Sequence, residues 1–136
     1  MVVDDDESFL DILEVIVKRE GFRAARAVDG REALRMIDAQ APDLILLDFM
    51  MPGLCGFEVL KELQSGDASK TPVVVITGRN NDPGMVEMVR KEPNVYEYLK
   101  KPIKQASFGM LLHQILGTRP PDTRPAPARG PLSSAW

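Results

Sequence analysis

A single cysteine, a single histidine and the absence of any apolar run near membrane-span length set the first limits on this 136-residue chain. Cys55 has no partner for an internal disulfide, which fits a reducing compartment and leaves a packed or partly exposed thiol as its plain reading. The lone His113 falls in a segment of helical period away from the strand ends described below, and reads as a surface or packing residue. A spanning helix needs about 20 consecutive apolar residues. Acids follow Met1-Val2-Val3 at once, which no secretory signal would carry. Excess basic charge is missing too: 17 Lys and Arg stand against 20 Asp and Glu, a net charge of -3, so direct nucleic-acid binding is not expected. These absences predict a soluble, cytoplasmic chain with one domain long enough to bury its own core.

What is present is a regular alternation. Apolar runs of strand length occupy Met1 to Val3, Phe22 to Val28, Leu44 to Leu47, Val73 to Ile76 and Val95 to Leu99. Segments of helical period lie between and after them, near Ser8 to Glu20, Asp29-Gly30 to Ala39, Phe57 to Gln64, Pro83 to Lys91 and Ser107 to Leu116. This order predicts βαβ units and a parallel sheet. Leu44 to Leu47 is continuously apolar, as expected of a strand covered on both faces. The second run is alanine-rich and interrupted by Arg23 and Arg26, which places it at a sheet edge. In the first helix Phe9, Ile12, Leu13, Ile16 and Val17 form the expected apolar stripe. From Gly117 to Trp136 the chain holds five of its eleven prolines, three arginines and no apolar period, so residues 1–116 are expected to form the domain and 117–136 a flexible, partly extended tail.

The chemistry gathers where the strands end. Asp4, Asp5 and Asp6 follow the first run, Asp48 the third, Thr77 the fourth, and Lys101-Pro102 the fifth. In an open parallel sheet the crevice outside the carboxyl ends of the strands takes the ligand, so these side chains converge. Two unit charges about 5 Å apart repel by roughly 3 kcal/mol at an effective dielectric near 20, so clustered carboxylates call for a cation among them. A hard divalent ion with oxygen ligands fits that need. Asp6 has a second reading as the cap of the first helix.

These motifs, with Leu46-Leu47-Asp48-Phe49-Met50-Met51-Pro52-Gly53 as the most specific stretch, resemble the receiver domain of two-component response regulators, over residues 1 to about 116. The resemblance implies a flavodoxin-like, doubly wound five-stranded parallel sheet in the order 2-1-3-4-5 with helices on both faces. It implies that Asp48 accepts a phosphoryl group from a phosphohistidine of a sensor histidine kinase or phosphotransfer protein. Mg²⁺ would be held by Asp4, Asp5, Asp48 and the backbone carbonyl of Met50. Thr77 would bond the phosphoryl oxygen, Lys101 would pair with it, and Tyr98 would be the aromatic switch whose rotamer reports the change. The resemblance also implies that Met50 and Arg79, two residues past Asp48 and Thr77, would stand at positions that in this family tune loss of the acyl phosphate.

The expected protein is therefore a signalling phosphoacceptor rather than an enzyme, with no output domain after residue 116. Its downstream protein partner would meet the surface from the fourth strand to the fifth helix, and a phosphorylation-dependent dimer belongs to the same expectation. Rival readings are a receiver-like module that binds without phosphorylation, a phosphate sink, and a haloacid dehalogenase-type phosphohydrolase. The last places a second acid two residues after its nucleophile, where this chain has Met50.

Overall fold

The computed structural model describes residues 1–78 and 83–121. Its elements are β1 (Val2–Val3), α1 (Glu7–Arg19), β2 (Arg26–Ala27), α2 (Gly30–Gln40), β3 (Ile45–Asp48), α3 (Gly56–Gln64), β4 (Val73–Thr77), α4 (Pro83–Arg90), β5 (Val95–Lys100) and α5 (Gln105–Leu116). The strands form one parallel sheet in the order β2-β1-β3-β4-β5, as expected. β2 is the edge strand that its arginines predicted, although only two of the seven residues from Phe22 to Val28 pair.

Alternation along the strands divides the core in two. Ile45, Leu47, Val73 and Val75 pack with residues of α2, α3 and α4. Leu46, Val74 and Ile76 pack with Phe9, Leu10 and Leu13 of α1 and with Phe108 and Leu112 of α5. Successive strand side chains point to opposite faces, so one unbroken apolar run serves both layers.

Local chemistry sets the helix ends. The Asp6 side chain accepts hydrogen bonds from the N–H groups of Ser8 and Phe9, so it caps α1 as read from the sequence. Asp29 does the same for α2 through the Glu32 N–H. At the other end of the domain, Gly117 takes φ +64° and closes α5 in the left-handed conformation that glycine adopts without penalty.

The expected stripe on α1 needs one correction. Ile12 is 54% exposed, whereas Leu10, absent from the stripe, is fully buried. The helix presents 9, 10, 13, 16 and 17 to the sheet, so four of the five expected positions are buried and Leu10 takes the place of Ile12. On α3, Val59, Leu60 and Leu63 are buried and Phe57 is half-buried.

Candidate active site at the carboxyl edge of the sheet

The expected residues do meet at one edge. Asp48 is the last residue of β3 and Thr77 the last of β4. Asp4 and Asp5 follow β1, and Lys101 follows β5. The parallel ladder aligns these ends, with Thr77 opposite Lys100 and the Lys101 N–H donating to the Thr77 carbonyl at 2.8 Å. The Lys101–Pro102 peptide is cis.

Carboxylate oxygens of Asp4, Asp5 and Asp48 lie within 4.8 Å of one another. Asp4 is buried at 1% exposure, with Oδ1 accepting from the Asp6 N–H at 2.9 Å and Oδ2 accepting from Lys101 Nζ at 2.8 Å. Asp5 is exposed. Asp48 is 6% exposed and its Oδ1 accepts from the Met50 N–H at 3.2 Å. Burial, and then the neighbouring Asp4 charge, push the Asp48 carboxyl up to about 7, against the opposing pull of the Met50 N–H and the Lys101 ammonium. One ammonium does not neutralise three carboxylates. An all-oxygen set with surplus negative charge and an exposed member open to water fits a small hard cation such as Mg²⁺.

The loop after Asp48 is held against the site by a close approach that only glycine permits. The Gly56 N–H donates to the Phe49 carbonyl, and a Cβ on Gly56 would come within 2.7 Å of Phe49 Cα. Met50 is 37% exposed beside Asp48. Thr77 is fully buried and Tyr98 nearly so, the latter in the α2–α4 layer with the Arg90 guanidinium 5.9 Å from its ring centroid. Arg79 lies outside the described residues.

Two arrangements went unseen in the sequence. Lys101 was expected to be paired only through phosphate, yet its ammonium already has Asp4, and it also sits 4.0 Å from the centroid of the Phe9 ring. Phe9 carried only a core signal, since a 3.6 period cannot tell a core aromatic from one at the site margin. His113 is a packing residue, as one of its two readings held: it is 5% exposed, with Nε2 2.9 Å from Glu20 Oε1 and Nδ1 2.7 Å from Thr118 Oγ1.

Five parallel strands in this order, with acids, a threonine and a lysine along one edge, define the receiver class of signalling domain. The family model described as the response regulator receiver domain matches residues 1–112, and the chain belongs to that family. Among its relatives, it is 36% identical over 104 residues to the transcriptional regulatory protein AfsQ1 of Streptomyces coelicolor, a match covering 76% of this chain and 44% of that one. It is 35% identical over 102 residues to the sensory transduction protein RegX3 of Mycobacterium tuberculosis, covering 75% and 43%. The chain thus spans less than half the length of these relatives. The solved receiver domain of NtrX from Brucella abortus superposes with a TM-score of 0.75 at 31% identity, over 87% of this chain and 98% of that one. The chemotaxis protein CheY4 of Vibrio cholerae gives 0.75 at 25% identity, over 84% and 94%. Another relative, MtrA, is named a DNA-binding response regulator, so the relatives lend no support to the expectation that nucleic acid is not a partner. No helix among the described residues is long and apolar enough to cross a membrane.

Proposed function

We propose that Asp48 accepts a phosphoryl group from the phosphohistidine of a sensor kinase or phosphotransfer protein in the cytoplasm, and that the resulting acyl phosphate changes which protein binds the β4 to α5 surface. The observation that carries the proposal is the Asp48 carboxylate itself. It is nearly buried at a strand end, pushed up to about 7, and faces Asp4 and Asp5 with the Lys101 ammonium alongside. An aspartate kept only for structure gains nothing from such crowding.

In the transfer, an Asp48 carboxylate oxygen forms the new bond to phosphorus while the phosphorus–nitrogen bond to histidine breaks and the imidazole leaves with the bonding pair. Such a loose, in-line transfer needs positioning and charge neutralisation more than covalent help. Asp4, Asp5, Asp48 and the Met50 carbonyl would hold Mg²⁺, which when bound supplies positive charge for the phosphoryl oxygens. Lys101 brings a compact ammonium from beside Asp4, and the Thr77 hydroxyl donates to a phosphoryl oxygen. Met50, exposed next to Asp48, shields the acyl phosphate from water.

A small phosphodonor tests this reading. Acetyl phosphate or phosphoramidate with Mg²⁺ should add one phosphate by intact mass, and Asp48→Asn should remove the addition. Labelling that persists in the variant would move the acceptor elsewhere. A dehalogenase-type hydrolase is disfavoured by Met50 at the second-acid position. The names of AfsQ1, RegX3 and MtrA describe proteins more than twice the length matched here, and of the three only MtrA is named as DNA-binding.

A further inference from the structure

The Lys101 ammonium is gripped from two sides by groups of different kind. Asp4 Oδ2 is 2.8 Å away, and the face of the Phe9 ring is 4.0 Å from Nζ at its centroid. The lysine side chain is 21% exposed and Phe9 is 9% exposed, so the contact is largely shielded from water. Phe9 lies in the first turn of α1, where its own N–H is among the groups capped by Asp6. Asp6 thus anchors the backbone of the residue whose ring lies against the lysine.

The two partners are not equivalent. Asp4 is also one of the carboxylates proposed to hold Mg²⁺, and a carboxylate committed to a divalent ion attracts an ammonium less. The negative face of an aromatic ring offers no oxygen to that ion and keeps its hold on the lysine throughout. A leucine at position 9 would fill similar space without a negative face. We infer that Phe9 is a positioning residue for Lys101: its ring keeps the ammonium over the carboxylate cluster when Asp4 is engaged elsewhere, ready for a phosphoryl group on Asp48. This inference rests on the phosphoacceptor reading for its consequence, but the contact itself can be tested apart from that reading.

The experiment compares the parent chain with Phe9→Leu and Phe9→Tyr, with two readouts. The first is the NMR shift of the Lys101 ε-methylene, which a ring beneath it moves upfield, recorded without metal and at saturating Mg²⁺. The parent and Phe9→Tyr should hold the upfield position in both conditions, and Phe9→Leu should lose it. Return of the parent signal to an ordinary lysine position on adding Mg²⁺ would overturn the inference. The second is the initial rate of labelling by acetyl phosphate at saturating Mg²⁺. Phe9→Leu should fall about fivefold, within the range of a partly desolvated cation–π contact, and Phe9→Tyr should stay near the parent rate. Equal rates in parent and Phe9→Leu would also overturn it, as would a loss in Phe9→Tyr matching that in Phe9→Leu. If the parent takes no phosphate on Asp48, the phosphoacceptor reading fails, and the methylene shift still decides whether the ring holds the lysine.

Discussion

Lys101 Nζ and Asp4 Oδ2 form a 2.8 Å ion pair across 97 residues of sequence, at a site where the phosphoryl group is expected on Asp48. In the unphosphorylated protein the lysine is thus bonded to a neighbour of the acceptor. A phosphoryl group on Asp48 must draw the ammonium from Asp4, so the lysine's share of the free energy for switching is the difference between two contacts. The alternative of a lysine without any partner before phosphorylation does not describe this molecule.

That ion pair separates the two acids at the end of β1. Asp5→Ala should leave stability within about 0.5 kcal/mol, because the side chain is exposed. It should still weaken Mg²⁺ binding by more than about tenfold, the loss that even outer-shell partners produce. Asp4→Ala takes the acceptor from the Asp6 N–H and leaves the Lys101 ammonium to the Phe9 ring, and should cost about 1–3 kcal/mol in denaturant unfolding. Calorimetric titration with Mg²⁺ or Mn²⁺ checks the first statement, and unaltered affinity in Asp5→Ala would place the metal elsewhere.

Stability should respond to pH through Asp48. Its carboxyl is raised to about 7 in the folded protein from an ordinary value of 3.8, so between those values the native state holds a proton that the unfolded chain has lost. This contribution leaves the fold most stable below about pH 4 and erodes it as pH rises through 7. Asp48→Asn removes the group. Its advantage over the parent in metal-free buffer should grow between pH 4 and 7, to at most about 4 kcal/mol, and then level off, with Mg²⁺ reducing the gap. A constant difference across that range would contradict the elevated value.

The C-terminal boundary can be placed by truncation. The Thr118 hydroxyl reaches His113, the Thr118 N–H donates to the His113 carbonyl, and Pro121 packs near Gly21. Cutting after Leu116 removes the glycine cap and these contacts, and should cost about 1 kcal/mol, seen as a few degrees in melting temperature. Cutting after Pro121 should change neither melting nor labelling of Asp48. Residues 122–136 lie outside the described part of the chain, and a drop on removing them alone would show that they pack.

Signalling output has its own test. Beryllofluoride, a mimic of the acyl phosphate, should shift amide resonances around β4, α4 and β5 more than those of the edge strand β2, and Thr77→Ala should blunt the response. Tyr98, packed in the α2–α4 layer near Arg90, should be among the residues affected. Shifts confined to the loop after Asp48 would favour a phosphate sink.

The sequence by itself determined the alternation of strands and helices, the sheet class and the reactive edge. Runs such as Leu44 to Leu47 and Val73 to Ile76 are legible because burial on both faces requires unbroken apolar residues, and Asp48 and Thr77 stand out as the polar residues that end them. Asp6 was readable as a cap because capping is local. Tertiary structure alone decided which residues of those runs face α1 and α5 and which face α2 to α4, since an unbroken run has no period to mark its sides. It alone turned Leu10 inward and Ile12 outward, and it alone brought Glu20 to His113, Asp4 to Lys101 and Phe9 to the same lysine. Each of these contacts joins parts of the chain far apart in sequence, and helical or strand periodicity carries no information about which distant side chain will arrive.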